Sequence, residues 1–253
     1  IPRESKPGMR VPARIFATEK MIDEILEDRS LDQLANVAAL PGIAGRAVAM
    51  PDIHEGYGFP VGGVAAFDAE NGVISPGGIG YDINCGVRLL CSEIGLSEIR
   101  SRVPELGKAL YREIPSGVGR AGRLKLSDKE LDEVLLKGSR RLVEQGYADS
   151  EDSANAEENG YLRTADPKAV SGRAKDRGRD QLGTIGAGNH FVELEEIEEI
   201  FDEEKAGKLG LFSGQVVILI HTGSRGLGHQ VATDYIKTMM NAASKYNIAL
   251  PDR

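Results

Sequence analysis

A carboxylate and a thiol stand three residues apart in Gly77-Gly78-Ile79-Gly80-Tyr81-Asp82-Ile83-Asn84-Cys85-Gly86-Val87-Arg88. Several glycines let this backbone bend, and a thiolate beside a carboxylate on such a turn suits capture of a divalent cation. A lone cysteine in a turn also serves as a small buried hydrophobe, but packing gives no reason for a carboxylate next to it. Two more polar islands share the style, Gly186-Ala187-Gly188-Asn189-His190-Phe191 and His221-Thr222-Gly223-Ser224-Arg225-Gly226. Each sets one histidine at the edge of an apolar run. Asp82, Cys85, His190 and His221 are therefore the candidate ligands of a metal centre, with a hydrogen-bonded core histidine as the plainer reading of His190.

Other groups offer supporting chemistry. The glycine-rich turn after His221, with Arg225 beside it, leads into a helix and suits phosphate binding by backbone N–H groups. Asp52, in Pro51-Asp52-Ile53-His54-Glu55-Gly56, reads either as part of a hydrogen-bonded turn or as a carboxylate that steadies a ligand from behind. Arg173, Lys175, Arg177 and Arg179 put four cations in seven residues. That run is either the solvated face of a helix or a contact for RNA phosphates. Gly117-Val118-Gly119-Arg120-Ala121-Gly122 matches the dinucleotide fingerprint in letters only, since no clear strand precedes it and no prompt helix follows. A phosphate-binding P-loop is absent, as is the Lys-x-Asp-Gly setting of ATP-dependent ligases.

These residues need elements to hold them. Thr18 to Glu27 and Ser30 to Ala39 read as helices, and Ala47 to Met50, Val61 to Phe67 and Val87 to Cys91 as strands, with Cys91 in the core. Ser97 to Ile114 reads as a helix interrupted by Pro104 and Gly107. A capping box at Ser127-Asp128-Lys129-Glu130 opens a helix expected to reach Gln145. Asp149 to Tyr161 reads as a loop, and Asp166-Pro167 as a helix start. Phe191 begins a strand that turns acidic, Gln215 to Ile220 is a buried strand ending at His221, and a helix follows from about Gly228 to Lys245. The class is α+β, with mixed sheets and surrounding helices in one compact domain.

The chain has 253 residues, 41% of them hydrophobic, enough to build a sizeable core. No apolar run approaches the ~18 residues of a membrane span, and the two cysteines, six apart, make a poor disulfide framework. A reducing, cytoplasmic setting follows. The net charge of −8 argues against nucleic acid, but the acid gathers in two segments and the base in others, so composition does not settle the partner.

Four long motifs together resemble the RtcB family of RNA-splicing ligases. They are Met50-Pro51-Asp52-Ile53-His54-Glu55-Gly56-Tyr57-Gly58-Phe59-Pro60, Gly80 to Arg88, Gly186 to Glu193, and His221 to His229. The resemblance implies an enzyme that uses Mn2+ and GTP to join RNA ends bearing a 2′,3′-cyclic phosphate or 3′-phosphate to a 5′-hydroxyl, through a guanylylated histidine and an RNA 3′-GMP intermediate. It implies that Cys85 bridges two ions, that Asp82 and His190 complete one and that His221 holds the other. It places Asn189, His190, Phe191, Val192 and Glu193 around GTP, with Glu193 reading guanine. The donor set alone would favour Zn2+, so Mn2+ comes from the resemblance. Broken or spliced tRNA ends are the implied substrate, and archease a candidate partner.

Family members are nearly twice this length and carry their nucleophilic histidine and a further histidine ligand in the C-terminal half. This chain has no histidine after His229. Residues 1–253 are thus expected to be the N-terminal portion of a single RtcB-like ligase domain, cut short at the C-terminus, with no catalytic nucleophile of its own. Two other classes stay open on the residues alone. One is a metal-dependent hydrolase of a phosphoester or amide, the other a non-catalytic phosphate-binding module.

Overall fold

The computed structural model describes residues 1–251. It is of the expected α+β class, with one mixed and one antiparallel sheet. Where a single domain is expected, its contacts sort into two compact units, Ile1–Tyr81 with the residues from Ala232 onward, and Asp82–Val231.

The first unit is built on β1 (Ala13–Ile15), β2 (Ile43–His54) and β3 (Val61–Phe67). β2 is central, parallel to β1 and antiparallel to β3. The helix Ser30–Val37 lies on β2. Its Leu34 and Val37 meet Ala47, Ala49 and Ile53, which the period-two strand turns to the same side. Buried Gln33 faces Gly56 with both amide atoms, donating to its carbonyl at 2.8 Å and accepting its N–H at 2.9 Å. β2 continues through Pro51 to His54, where the sequence reads as a turn. Its register on β3 shifts between Ala49 and His54, and such an irregularity tolerates a proline that cannot donate to the ladder.

The second unit holds β4 (Gly86–Gly95), β5 (Phe191–Glu196) and β6 (Gln215–Thr222). β6 is central and antiparallel to both neighbours. Val216 and Val217 are buried. Cys91, expected in the core, is exposed, because it lies on β4, an edge strand whose Val87, Leu89 and Leu90 are exposed as well. At the start of β6, Gln215 is fully buried. It donates to the carbonyls of Ser92 (2.7 Å) and Gly210 (2.9 Å) and accepts from the Phe212 N–H (3.2 Å).

The helices follow their local chemistry more closely than their expected lengths. Ser127 accepts from the Glu130 N–H and Glu130 reaches back, as a capping box should. That helix stops at Lys137 because Gly138 takes a φ of +61°, and a second helix runs Ser139–Glu144. The stretch from Ser97 breaks into Leu96–Ile99, a 3-10 turn Arg100–Arg102, and Val103–Glu113. Pro104 lies in the first turn of the last piece, where its missing N–H is harmless. Asp149–Tyr161, expected as a loop, contains the helix Ser150–Ala154, capped by Asp149, and a 3-10 turn Glu157–Gly160. The final helix, Arg225–Lys245, begins three residues before the expected start. Among the described residues no helix is long and apolar enough to cross a membrane.

Gln215→Leu keeps the volume but leaves two carbonyls and one N–H without this partner. We expect a loss of about 2 kcal/mol in unfolding free energy, read from the urea midpoint. An unchanged midpoint would remove the anchoring role from this amide.

Candidate metal centre

The sheet of the second unit explains why the polar islands meet. Phe191 and Val87 both pair with His221, one from each side of β6. Because both neighbours run antiparallel to β6, the residues just before β4 and β5 arrive at the end where β6 finishes. Cys85 and His190 are those residues.

The local turns then aim the side chains. Cys85 N–H donates to the Asp82 carbonyl at 3.0 Å, and Asn84 takes a φ of +56°. Asparagine tolerates that left-handed conformation better than other side chains do. The turn brings the two side chains of Asp82 and Cys85 to one place. Cys85 Sγ lies 3.2 Å from His190 Nε2 and 3.1 Å from His221 Nε2. His190 Nε2 lies 2.6 Å from Asp82 Oδ2. One donor atom each from Asp82, Cys85 and His190 falls within a 4.8 Å cluster able to hold a cation. His221 joins through the shared sulfur rather than within that triad.

Glycine at two positions is a steric requirement of the site. A Cβ on Gly186 would fall on His190 Nδ1, and a Cβ on Gly223 would fall on the Asp82 carboxylate. The ring and the carboxylate are thus pressed against bare backbone. Ser224 donates its hydroxyl to Asp82 Oδ1 at 3.0 Å.

A divalent cation fits this donor set. Asp82 Oδ2 is buried, and its close polar neighbour is another member of the cluster, His190 Nε2 at 2.6 Å. Sulfur, two imidazole nitrogens and one carboxylate oxygen are donors that transition-metal ions accept. One feature departs from the usual pattern. His190 Nδ1 is buried with no hydrogen-bond partner among the described residues, so Gly186, rather than a backing hydrogen bond, confines the ring.

Asn189 is exposed just ahead of β5, Phe191 and Val192 are half-buried on it, and Glu193 is exposed. Burial pushes the Glu195 carboxyl up, and the neighbouring Glu193 adds to the shift. Asp52 lies on β2 in the first unit, where its carbonyl is 2.7 Å from His54 Nδ1. Arg173, Lys175 and Arg177 lie on the helix Gly172–Gly178, and Arg179 follows it. Lys175 pairs with Asp132, Arg179 with Asp128 and Asp176, and Arg177 donates to Gln230 at 2.9 Å. Arg173 is exposed.

Two donors of the turn after His221, the Gly226 N–H and the Arg225 guanidinium, are bonded within the protein. Gly226 N–H donates to Gln181 Oε1 at 2.8 Å. Arg225 donates to Thr184 Oγ1 at 3.2 Å and to the Gly117 carbonyl at 2.9 Å. Arg225 does so from a φ of +54°, a strained conformation for a side chain of its size. Sequence reading missed Ser224, Gly186 and Thr184, whose roles depend on partners far along the chain. An apolar cavity of about 560 Å3 lies in the first unit, lined by Tyr57, Phe59, Ile74, Met239 and Met240 among others. It offers no carboxylate, imidazole or thiol among its described lining.

Although Cys85 is an exposed residue, desolvation of its thiol pushes the pKa up to about 11, and Asp82 adds to the shift by charge and hydrogen bonding. The metal-free protein therefore keeps this proton at neutral pH, and a cation must displace it. We expect affinity for a divalent ion to rise about tenfold per pH unit between roughly pH 6 and 8 on account of this one group. Calorimetry in buffers of different ionisation enthalpy should show about one proton released. Binding with no proton release would remove Cys85 thiolate from the ligand set.

Comparison with known proteins agrees with the motifs. The family model described as tRNA-splicing ligase RtcB matches residues 33–253. The tRNA-splicing ligase RtcB of Archaeoglobus fulgidus is 51% identical over 253 residues, covering all of this chain and 52% of that protein. That of Thermococcus kodakarensis is 51% identical with the same coverage. The RNA-splicing ligase RtcB of Mycobacterium tuberculosis is 49% identical over 224 residues, 87% of this chain and 52% of its own length. The chain spans about half the length of the curated relatives it matches. Identity at this level across the whole chain, together with the family match, shows that the chain belongs to the RtcB family.

Proposed function

We propose that this chain forms part of an RNA ligase. It joins an end bearing a 2′,3′-cyclic phosphate or 3′-phosphate to a 5′-hydroxyl, as tRNA splicing and RNA repair require. One observation carries the reading: in a member of the RtcB family, Asp82 Oδ2, Cys85 Sγ and His190 Nε2 converge, with His221 Nε2 against the same sulfur. The proposed occupants are two Mn2+ ions, one held by Asp82, Cys85 and His190 and the other by Cys85 and His221. When bound, they would supply charge neutralisation for phosphate groups.

The chain's own residues set the rest. Asn189 to Glu193 are proposed to line GTP, with the exposed Glu193 carboxylate accepting from guanine N–H groups. GTP is the proposed source of a guanylyl group, taken up by a histidine with release of pyrophosphate and passed to the RNA 3′-phosphate (a cyclic phosphate being first opened by water), from which the 5′-hydroxyl displaces GMP. That histidine is proposed to be none of the four here. His190 and His221 belong to the ligand cluster, His54 is bonded to the Asp52 carbonyl, and His229 lies 3.4 Å from Arg177. Asp52 is proposed to steady a ligand. Arg173, Lys175, Arg177 and Arg179 are proposed to meet RNA phosphates, with Arg173 foremost because the other three already bond within the protein. Archease is a candidate partner. Two unpaired thiols suit a cytoplasmic location.

The test, run with the longer ligase of which this chain is proposed to form part, is end joining between a labelled 3′-phosphate RNA and a 5′-hydroxyl RNA, with and without GTP and Mn2+. GTP-dependent joining that falls on the order of 100-fold or more in Cys85→Ala supports the proposal. Turnover of the 3′ end by water, with no need for GTP, would replace it with a metal-dependent hydrolase.

A further inference from the structure

We propose that Ser224 is the positioning residue of the Asp82 carboxylate, holding one oxygen so that the other is presented as a metal donor. This rests on the metal centre proposed above. A carboxylate on a flexible Cα–Cβ bond has two equivalent oxygens and can turn either to a cation. Here the equivalence is broken. Oδ1 accepts the Ser224 hydroxyl at 3.0 Å. Oδ2 is buried and lies 2.6 Å from His190 Nε2 inside the donor cluster.

The surrounding backbone makes the orientation rigid. Gly223 closes directly on the carboxylate, since a Cβ there would overlap all three of its outer atoms. Ser224 is fixed in turn by the helix it opens. Its carbonyl accepts the Gly228 N–H at 3.3 Å. Gly228 is buried, and a Cβ on it would overlap the Ser224 hydroxyl. The hydroxyl thus has space only because residue 228 lacks a side chain. A serine at a helix start commonly serves its own helix, whereas this one donates to a residue 142 positions earlier in the chain. Groups that orient a metal ligand in this way typically change metal affinity by about 10- to 100-fold when removed.

Two substitutions test the idea by different routes. Ser224→Ala removes the hydroxyl, and Gly228→Ala keeps it but pushes it off Asp82 while favouring the helix. Mn2+ and Co2+ are titrated by calorimetry into metal-stripped protein of each variant, of the parent and of Asp82→Ala. Thermal unfolding of the metal-free forms is measured alongside. The expected result is that one of two ions binds about 10- to 100-fold more weakly in both variants. The other ion and the metal-free unfolding midpoint are little changed. In the Asp82→Ala background, Ser224→Ala should have no further effect on ion binding, as a shared path requires.

Parent-like binding of both ions in Ser224→Ala, while Asp82→Ala loses one, overturns the positioning role and leaves the metal centre standing. Equal weakening of both ions together with a lowered midpoint also overturns it, in favour of a purely structural serine. A parent protein that binds neither Mn2+ nor Co2+ overturns both readings.

Discussion

The antiparallel pairing of β6 with a neighbour on each side is the constraint on which the site depends. In antiparallel sheets the start of one strand lies beside the end of the next. With β6 in the centre, two strand entries and one strand exit are forced to share an edge. A parallel arrangement of the same three strands would send Cys85 and His190 to one end and His221 to the other. An eight-residue strand is roughly 25 Å long, far beyond any coordination distance. The chemistry is therefore a consequence of topology before it is a consequence of side-chain choice.

Two kinds of buried polarity distinguish frame from function in this protein. Gln33 and Gln215 are enclosed, and their amides are bonded at both the donor and the acceptor end. They behave as pieces of backbone inserted where the chain itself could not reach. His190 Nδ1 is enclosed and bonded to nothing among the described residues, and Asp82 Oδ2 is enclosed against His190 Nε2 at 2.6 Å, another donor of the same cluster. A buried amide in the first condition lowers the energy of the fold, whereas a buried group in the second raises it unless a ligand arrives. The cluster around Cys85 thus stores an unmet demand that the rest of the second unit is built to hold in place.

The sequence disclosed features whose causes lie within a few residues. The Ser127 capping box, the strands beginning at Val61, Gly86 and Phe191, and the histidine near the end of β6 are all decided locally. The four residues brought together at Cys85 were legible because thiol, carboxylate and imidazole types are rare enough among glycines to stand out. What stayed hidden depended on distant partners. β2 runs through a proline because β3 tolerates a slipped register there. Cys91 looks like core by its neighbours, yet it lies on an edge strand. The cations from Lys175 to Arg179 look free in one dimension, but Asp128, Asp132 and Gln230 lie opposite them in three. Ser224 is one more small residue in a glycine-rich turn until Asp82 is placed against it.

The span of chain between ligands also sets the order in which the protein is made. His190 follows Cys85 by 105 residues and His221 by 136. At the usual pace of roughly 5–20 residues per second, a ribosome needs about 7–27 s to cover the longer gap. Throughout that interval the nascent chain exposes Asp82 and Cys85 as an open pair, able to touch a passing cation but not to enclose it. Closure awaits β6, the last strand of the sheet to be synthesised and the one around which the other two assemble. Assembly of the full donor set is thus a late event in biogenesis, coupled to the final docking of a central strand rather than to the emergence of the motif that first announces it.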